Sequence, residues 1–279
     1  FVLGRVDQDY FSFYYVGKGV AEGGMMYGDF VDNKGPVLYW FFAFLHLVFS
    51  GNYLVALVAA STLVDAAALI FLLLFAKDRF KLVLPARFLE SFILSLFLVS
   101  FYKSFSLGMF MGGFYAESLG VMWVSACFYA LGKKKFFVAG VLFCLAVLSR
   151  QTLVFWGIWF VYELLRVRGS LYKNAMRAST GALLALAAIA LALFIKGDLW
   201  EFWRAITGLS LAYVGHVTGH YWLQLKAVVM TEARIAASLV FFVVMTVLLY
   251  IQKGAKETQG FLVAFVSGLL ASFVGGLFY

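Results

Sequence analysis

Residues 53–76 read YLVALVAASTLVDAAALIFLLLFA, and Asp65 is the only charge in twenty-four positions. A helix of that length rises far enough to cross the roughly 30 Å hydrocarbon layer of a bilayer. The run does not alternate between apolar and polar, as the strands of a membrane barrel do. Similar stretches follow, so the pattern predicts an all-α, polytopic transmembrane bundle. About eight spans are expected, at 53–76, 87–108, 117–132, 136–149, 152–165, 178–195, 232–251 and 261–279. The pieces 136–149 and 152–165 are short and meet at Ser149-Arg150-Gln151-Thr152, which reads as two tilted or partly immersed helices joined by a polar turn, or as one broken span.

The composition agrees. Hydrophobic residues make up 64% of the 279-residue chain and charged ones 13%, about half the charged share of a soluble domain. Twenty-two Lys and Arg against fourteen Asp and Glu give a net charge of +8. That excess sits in short clusters between apolar runs, which marks orientation signals rather than a nucleic-acid groove. Lys77, Arg79, Lys81 and Arg87 form one cluster, and Lys133 to Lys135 the next. Arg166, Arg168, Lys173 and Arg177 follow, then Lys253 and Lys256. With the spans above, all of these share one side, expected to be cytoplasmic. Cys127 and Cys144 lie in apolar runs and read as buried small residues. One membrane domain over 1–279 is expected, and because it begins at Phe1 without a signal-peptide pattern, it is expected to be part of a longer protein.

The opposite side receives the polar groups. Residues 1–52 form an outer loop, 53–195 the core spans, 196–231 a second outer segment, and 232–279 two further spans. The stretch 7–36, DQDYFSFYYVGKGVAEGGMMYGDFVDNKGP, holds Asp7, Asp9, Glu22, Asp29 and Asp32. Glu117, Asp198, Glu201 and Glu232 join them, with Lys34, Lys103, Arg150, Arg204 and Lys226. Polar groups gather in an apolar protein where water or a polar ligand reaches them. Val37 to Ser50 is aromatic and too short to span, so it reads as an interfacial helix broken by Gly51-Asn52, with His46 packed on it.

Within this pattern, Asp9-Tyr10, Gly23-Gly24 and Tyr27-Gly28-Asp29-Phe30-Val31-Asp32-Asn33-Lys34-Gly35-Pro36 together resemble the first outer loop of C-type (GT-C) membrane glycosyltransferases. The nearest branch is that of dolichyl-phosphate-mannose protein mannosyltransferases and the bacterial aminoarabinose transferase acting on lipid A. Tyr10 replaces the Glu that usually follows the first Asp, and Gly35 replaces the first of two prolines. Tyr115-Ala116-Glu117 resembles the family's second acidic position, and Ser149-Arg150-Gln151-Thr152 its basic-Gln turn. The resemblance covers roughly 1–165.

It implies a polyprenyl-phosphate-linked sugar as donor and a glycan, lipid or protein as acceptor, at the extracytoplasmic face of an inner or plasma membrane. Asp9 is the expected base, Asp7 the second choice, and Glu117 the other catalytic carboxylate. Lys34 and Arg150 are expected on the leaving phosphate, with Asp32, Tyr10, Arg204 and His220 also on substrate. Lys34 has a second reading as a snorkelling anchor, and Arg150 as the structural partner of an outer carboxylate. His216 and His220 stand i, i+4, but two ligands do not make a zinc site. No metal or other cofactor is obligatory on this reading, though a divalent cation is allowed. A transporter or flippase would call for charges deep in several spans and repeated halves, of which chiefly Asp65 and Glu90 are visible. A non-catalytic subunit binding a lipid-linked saccharide is the third reading, because the usual acidic pair is incomplete at Asp9-Tyr10.

Overall fold

The computed structural model describes residues 8–30, 34–80, 116–167 and 170–209, with 259–260, 262–263 and 266–267. All the regular structure among them is helical. The chain divides into two compact units, Phe1–Gln151 with Tyr172–Ile206, and Thr152–Leu171 with Thr207–Tyr279.

The first unit begins with a helical hairpin. Helix α1 (Gln8–Ala21) ends where Gly23 turns left-handed at φ 98°. There the Gly24 amide reaches back to the Gly19 carbonyl at 2.8 Å, the glycine-terminated helix end. Helix α2 (Pro36–Val48) starts with proline in its first turn, where a missing N–H costs nothing. It ends at Ser50-Gly51, after which the Asn52 side chain accepts the Val55 amide at 3.2 Å and caps α3 (Tyr53–Phe80). The breakers at Gly51-Asn52 therefore act as a helix stop and a helix start.

Helices α1 and α2 run antiparallel. The Gly17 Cα lies against Phe42 and Ala43, the Tyr14 hydroxyl is 3.0 Å from His46 Nδ1, and Phe11 meets Tyr53 edge-on at 6.3 Å. His46 is thus a packed, hydrogen-bonded histidine.

Beyond α3, helix α4 (Ala116–Gly132) lies parallel to it. The ring pairs Phe71–Tyr129 and Phe75–Phe128 and the 2.9 Å ion pair between Asp78 and Lys133 climb both helices together. A tight turn at Lys133–Lys135 leads into α5 (Phe136–Ser149), antiparallel to α4, with Cys127 Sγ 3.4 Å from the Ala139 carbonyl. Helix α7 (Leu171–Ile195) crosses α5 at two glycines, Gly140 against the Ala178 carbonyl and Gly181 against the Phe137 carbonyl. Small residues of this kind let helix backbones touch in an apolar medium.

The starts of α3 and α4 and the ends of α5 and α7 all reach one end of this unit, and α2 lies across them. Its Leu38, Tyr39, Phe42 and Leu45 share a core with Ala56, Leu57, Leu119, Ile189 and Leu193. Lys77, the three lysines 133–135, Lys173 and Arg177 lie toward the other end.

In the second unit, a 3-10 turn (Gln151–Trp156) leads into α6 (Gly157–Arg166). Helix α6 buries Trp159, Phe160, Glu163 and Leu164 on one face, and Glu163 pairs with Arg166 at 3.7 Å. The polar break at Ser149–Thr152 thus separates two short helices, as the sequence suggests.

Two helices are long and apolar enough to cross a membrane, Tyr53–Phe75 within α3 and Leu171–Ile195. Only 33% and 22% of their apolar windows are buried. Exposed leucines and phenylalanines over such a length point to membrane association rather than to a soluble core. Eight spans are not what the described residues form. Helices α2 and α5 and residues Ser118–Gly132 are apolar but shorter than a span. At 1.5 Å per residue α5 rises about 20 Å, and it stops where α2 crosses its end. The expected spans 87–108 and 232–251, and most of 261–279, lie outside the described residues.

Candidate functional site

The covered end of the first unit is built around the loop from Glu22 to Gly35. Two carboxylates organise it. Asp29 Oδ2 accepts the Met25 amide at 2.7 Å, closing the loop on itself. Asp198 comes from the far end of α7. Gly197, left-handed at φ 79°, stops that helix, and the Asp198 amide bonds back to the Leu193 carbonyl at 2.9 Å. This delivers the Asp198 side chain into the loop, where it is 3% exposed. Its Oδ2 accepts the Met26 amide at 2.7 Å, and its Oδ1 the Tyr27 and Gly28 amides at 3.0 and 3.2 Å.

Tyr27 passes this constraint on. Its ring is buried between Phe202, 5.2 Å away, and Tyr39, 6.1 Å away, and its hydroxyl donates to the Lys34 carbonyl at 2.7 Å. The next residue, Gly35, lies directly on the Leu148 carbonyl, so a Cβ there would overlap backbone. Lys34 is therefore fixed beside the Leu148-Ser149-Arg150 turn. Arg150, 4% exposed, caps α5 in extended conformation, its amide on the Ala146 carbonyl at 3.0 Å. A guanidinium buried to this degree requires polar surroundings.

The register of α4 on α5 adds Glu117. Cys127 faces Ala139. Ten residues back from Cys127 is Glu117, and ten on from Ala139 is Ser149, so the start of α4 stands level with the Arg150 turn. The backbone of Lys34 and the start of α4 are thus both placed near the level of the Arg150 turn.

Asp9 does not join them there. It stands with Tyr10 in the first turn of α1, which runs antiparallel to α2 and begins near Tyr53. Lys34 precedes the other end of α2. The two positions are separated by about one α2 length, roughly 20 Å at 1.5 Å per residue. The spacing of Asp9 from the glycine pair locates it on α1 but carries no information about which way α1 doubles back.

Arg204 forms an exposed pair with Glu201 at 3.1 Å in α8 (Leu199–Arg204), the short helix after Asp198. Asp65 is partly buried in the middle of α3, away from this end. Asp7, Asp32, Lys103, His216 and His220 lie outside the described residues. Among the described residues no three His, Cys, Asp or Glu side chains form a group that could hold a metal ion.

Asp198 is the functional-end residue that sequence reasoning underrates. It appears there as one of nine outer carboxylates, with only Gly197 before it to signal a helix stop that would aim it at a loop. Compared with protein-family models, curated proteins and solved structures, the chain finds no match.

Proposed function

We propose that this chain is a C-type membrane glycosyltransferase that moves a sugar from a polyprenyl phosphate to a glycan, lipid or protein acceptor at the extracytoplasmic face of an inner or plasma membrane. The observation that carries the reading is the placement of Lys34 beside the Arg150 turn, with the start of α4 level with it, under a helical hairpin that crosses the bundle end.

Two cations at the polar boundary of an apolar bundle suit a lipid-borne phosphate, because charge there is less screened than in bulk water. A carboxylate carried by the nearby α4 start suits proton abstraction from the attacking hydroxyl or amine. Transfer then runs in one displacement. The acceptor heteroatom bonds to the anomeric carbon, its proton passes to the carboxylate, and the bond from that carbon to the phosphate oxygen breaks. The electron pair leaves with the phosphate, held by Lys34 and Arg150, and the anomeric centre inverts through an oxocarbenium-like state. The base role is assigned to Glu117, because the backbone at the α4 start is level with the Arg150 turn, and Asp9 at the α1 start is given an acceptor-side role. No metal is obligatory in this scheme, and a divalent cation is allowed.

The test is sugar transfer in proteoliposomes supplied with a panel of polyprenyl-phosphate sugars and acceptors. Transfer is expected from one donor class, with Glu117→Gln reducing it by about a hundredfold or more and Asp9→Asn reducing it less. A larger loss at Asp9 with Glu117→Gln fully active would return the base to position 9. Movement of intact lipid-linked saccharide across the membrane without transfer would favour the transporter reading instead.

A further inference from the structure

We infer that Asp198 is a positioning residue, which sets the place of Lys34 through Tyr27 and so governs how this end of the bundle holds a lipid phosphate. The inference rests on the proposed role of Lys34.

Asp198 itself has no free chemistry to offer a substrate. Both carboxylate oxygens are occupied by backbone amides, and the side chain is 3% exposed, so an acceptor hydroxyl has no access to it. What it does have is direction. Three consecutive amides, Met26, Tyr27 and Gly28, converge on one carboxylate whose own backbone is fixed by the Gly197 turn. Such a charge-assisted cluster orients a loop more sharply than apolar contact does.

The next link is Tyr27. With its amide held by Asp198 and its ring between Phe202 and Tyr39, its hydroxyl is aimed at the Lys34 carbonyl, 2.7 Å away. The last is Gly35, which keys the chain onto Leu148. The end of α7 is thereby connected, bond by bond, to the residue beside the Arg150 turn. Among the described residues the loop between α1 and α2 holds no regular helix, so the relay is one of the contacts that place Lys34.

The experiment measures two quantities on Lys34→Ala, Asp198→Ala, Tyr27→Phe and the Lys34→Ala/Asp198→Ala double variant in lipid nanodiscs. One is hydrogen exchange at the Met26–Gly28 amides; the other is affinity for a polyprenyl monophosphate. Asp198→Ala is expected to accelerate exchange at those three amides and to weaken the lipid by about tenfold or more, the scale of one charge-assisted hydrogen bond. The double variant is expected to bind no more weakly than Lys34→Ala, the non-additivity of residues acting through one group. Tyr27→Phe leaves the amide cluster intact, so it is expected to weaken the lipid without changing exchange at Met26.

Unchanged exchange in Asp198→Ala, or additive losses in the double variant, would overturn the inference. Should Asp198→Ala not fold, full affinity in Tyr27→Phe would overturn it by itself. If Lys34→Ala leaves lipid affinity unchanged, the phosphate-binding reading is what fails, and the exchange data still decide whether Asp198 holds the loop.

Discussion

Gly35 has a backbone that proline would accept, with φ −75° and ψ 156°, yet only glycine fits. The obstacle is Leu148, whose carbonyl occupies the space of a Cβ. This accounts for the departure from the Pro-Pro pattern that the loop otherwise resembles, a departure legible in the sequence without its cause. Gly35→Ala is expected to cost about 1–3 kcal/mol, the range for overpacking, read as a lowered unfolding midpoint in detergent. Tyr14 illustrates a milder dependence. Burial raises its hydroxyl above its ordinary pKa, keeping it a neutral partner for His46 Nδ1 at 3.0 Å. Because the folded value is the higher one, its contribution is complete below about pH 10 and is lost as pH rises through the folded value. Tyr14→Phe is expected to cost about 1 kcal/mol and to flatten that alkaline loss, which a stability–pH curve would detect.

At the scale of elements, helix ends carry most of the positional information. Helices α1 and α7 stop on Gly23 and Gly197, and both turns feed the loop that bears Lys34. Helix α4 stops in the same way but with Lys134 at φ 58°, a conformation that glycine adopts without penalty. Lys134→Gly is therefore expected to raise stability by about 1 kcal/mol, observed as a higher midpoint with no change in the protein's behaviour in lipid. The short helices on either side of Ser149–Thr152 and the aromatic helix α2 were readable from their polar breaks and lengths. The direction in which α1 folds back on α2 was not, because it is decided by ring packing of Phe11, Tyr14 and Phe42 rather than by any local signal. That is why Asp9 and Lys34, only twenty-five positions apart, end up on opposite ends of one hairpin.

Among the described residues of the first unit, the lysine clusters gather at one end, where Asp78 pairs with Lys133, while Lys34, Arg150 and Arg204 stand at the other. Asp29, Asp198 and Glu201 sit with the loop, while Lys77, Lys133, Lys134, Lys135, Lys173 and Arg177 lie toward the opposite end. On the proposed membrane reading, the positive-inside tendency predicts a cytoplasmic lysine end. A single cysteine at position 134 is expected to react with an impermeant thiol reagent only from the inner side, and one at position 201 only from the outer side. Cys127 and Cys144 would first be replaced by alanine. The basic clusters were legible in the sequence, whereas among the described residues the expected spans 117–132 and 136–149 were overread, because short apolar helices have the hydropathy of spans without their length.

The central claim is that the end carrying Lys34 and Arg150 holds a lipid phosphate. Mass spectrometry of lipid co-purified with the protein tests it most directly. A polyprenyl phosphate, with or without its sugar, is expected in the unaltered protein and absent from Lys34→Ala. Bulk phospholipid alone, or a polyprenyl phosphate retained equally by both, would contradict it.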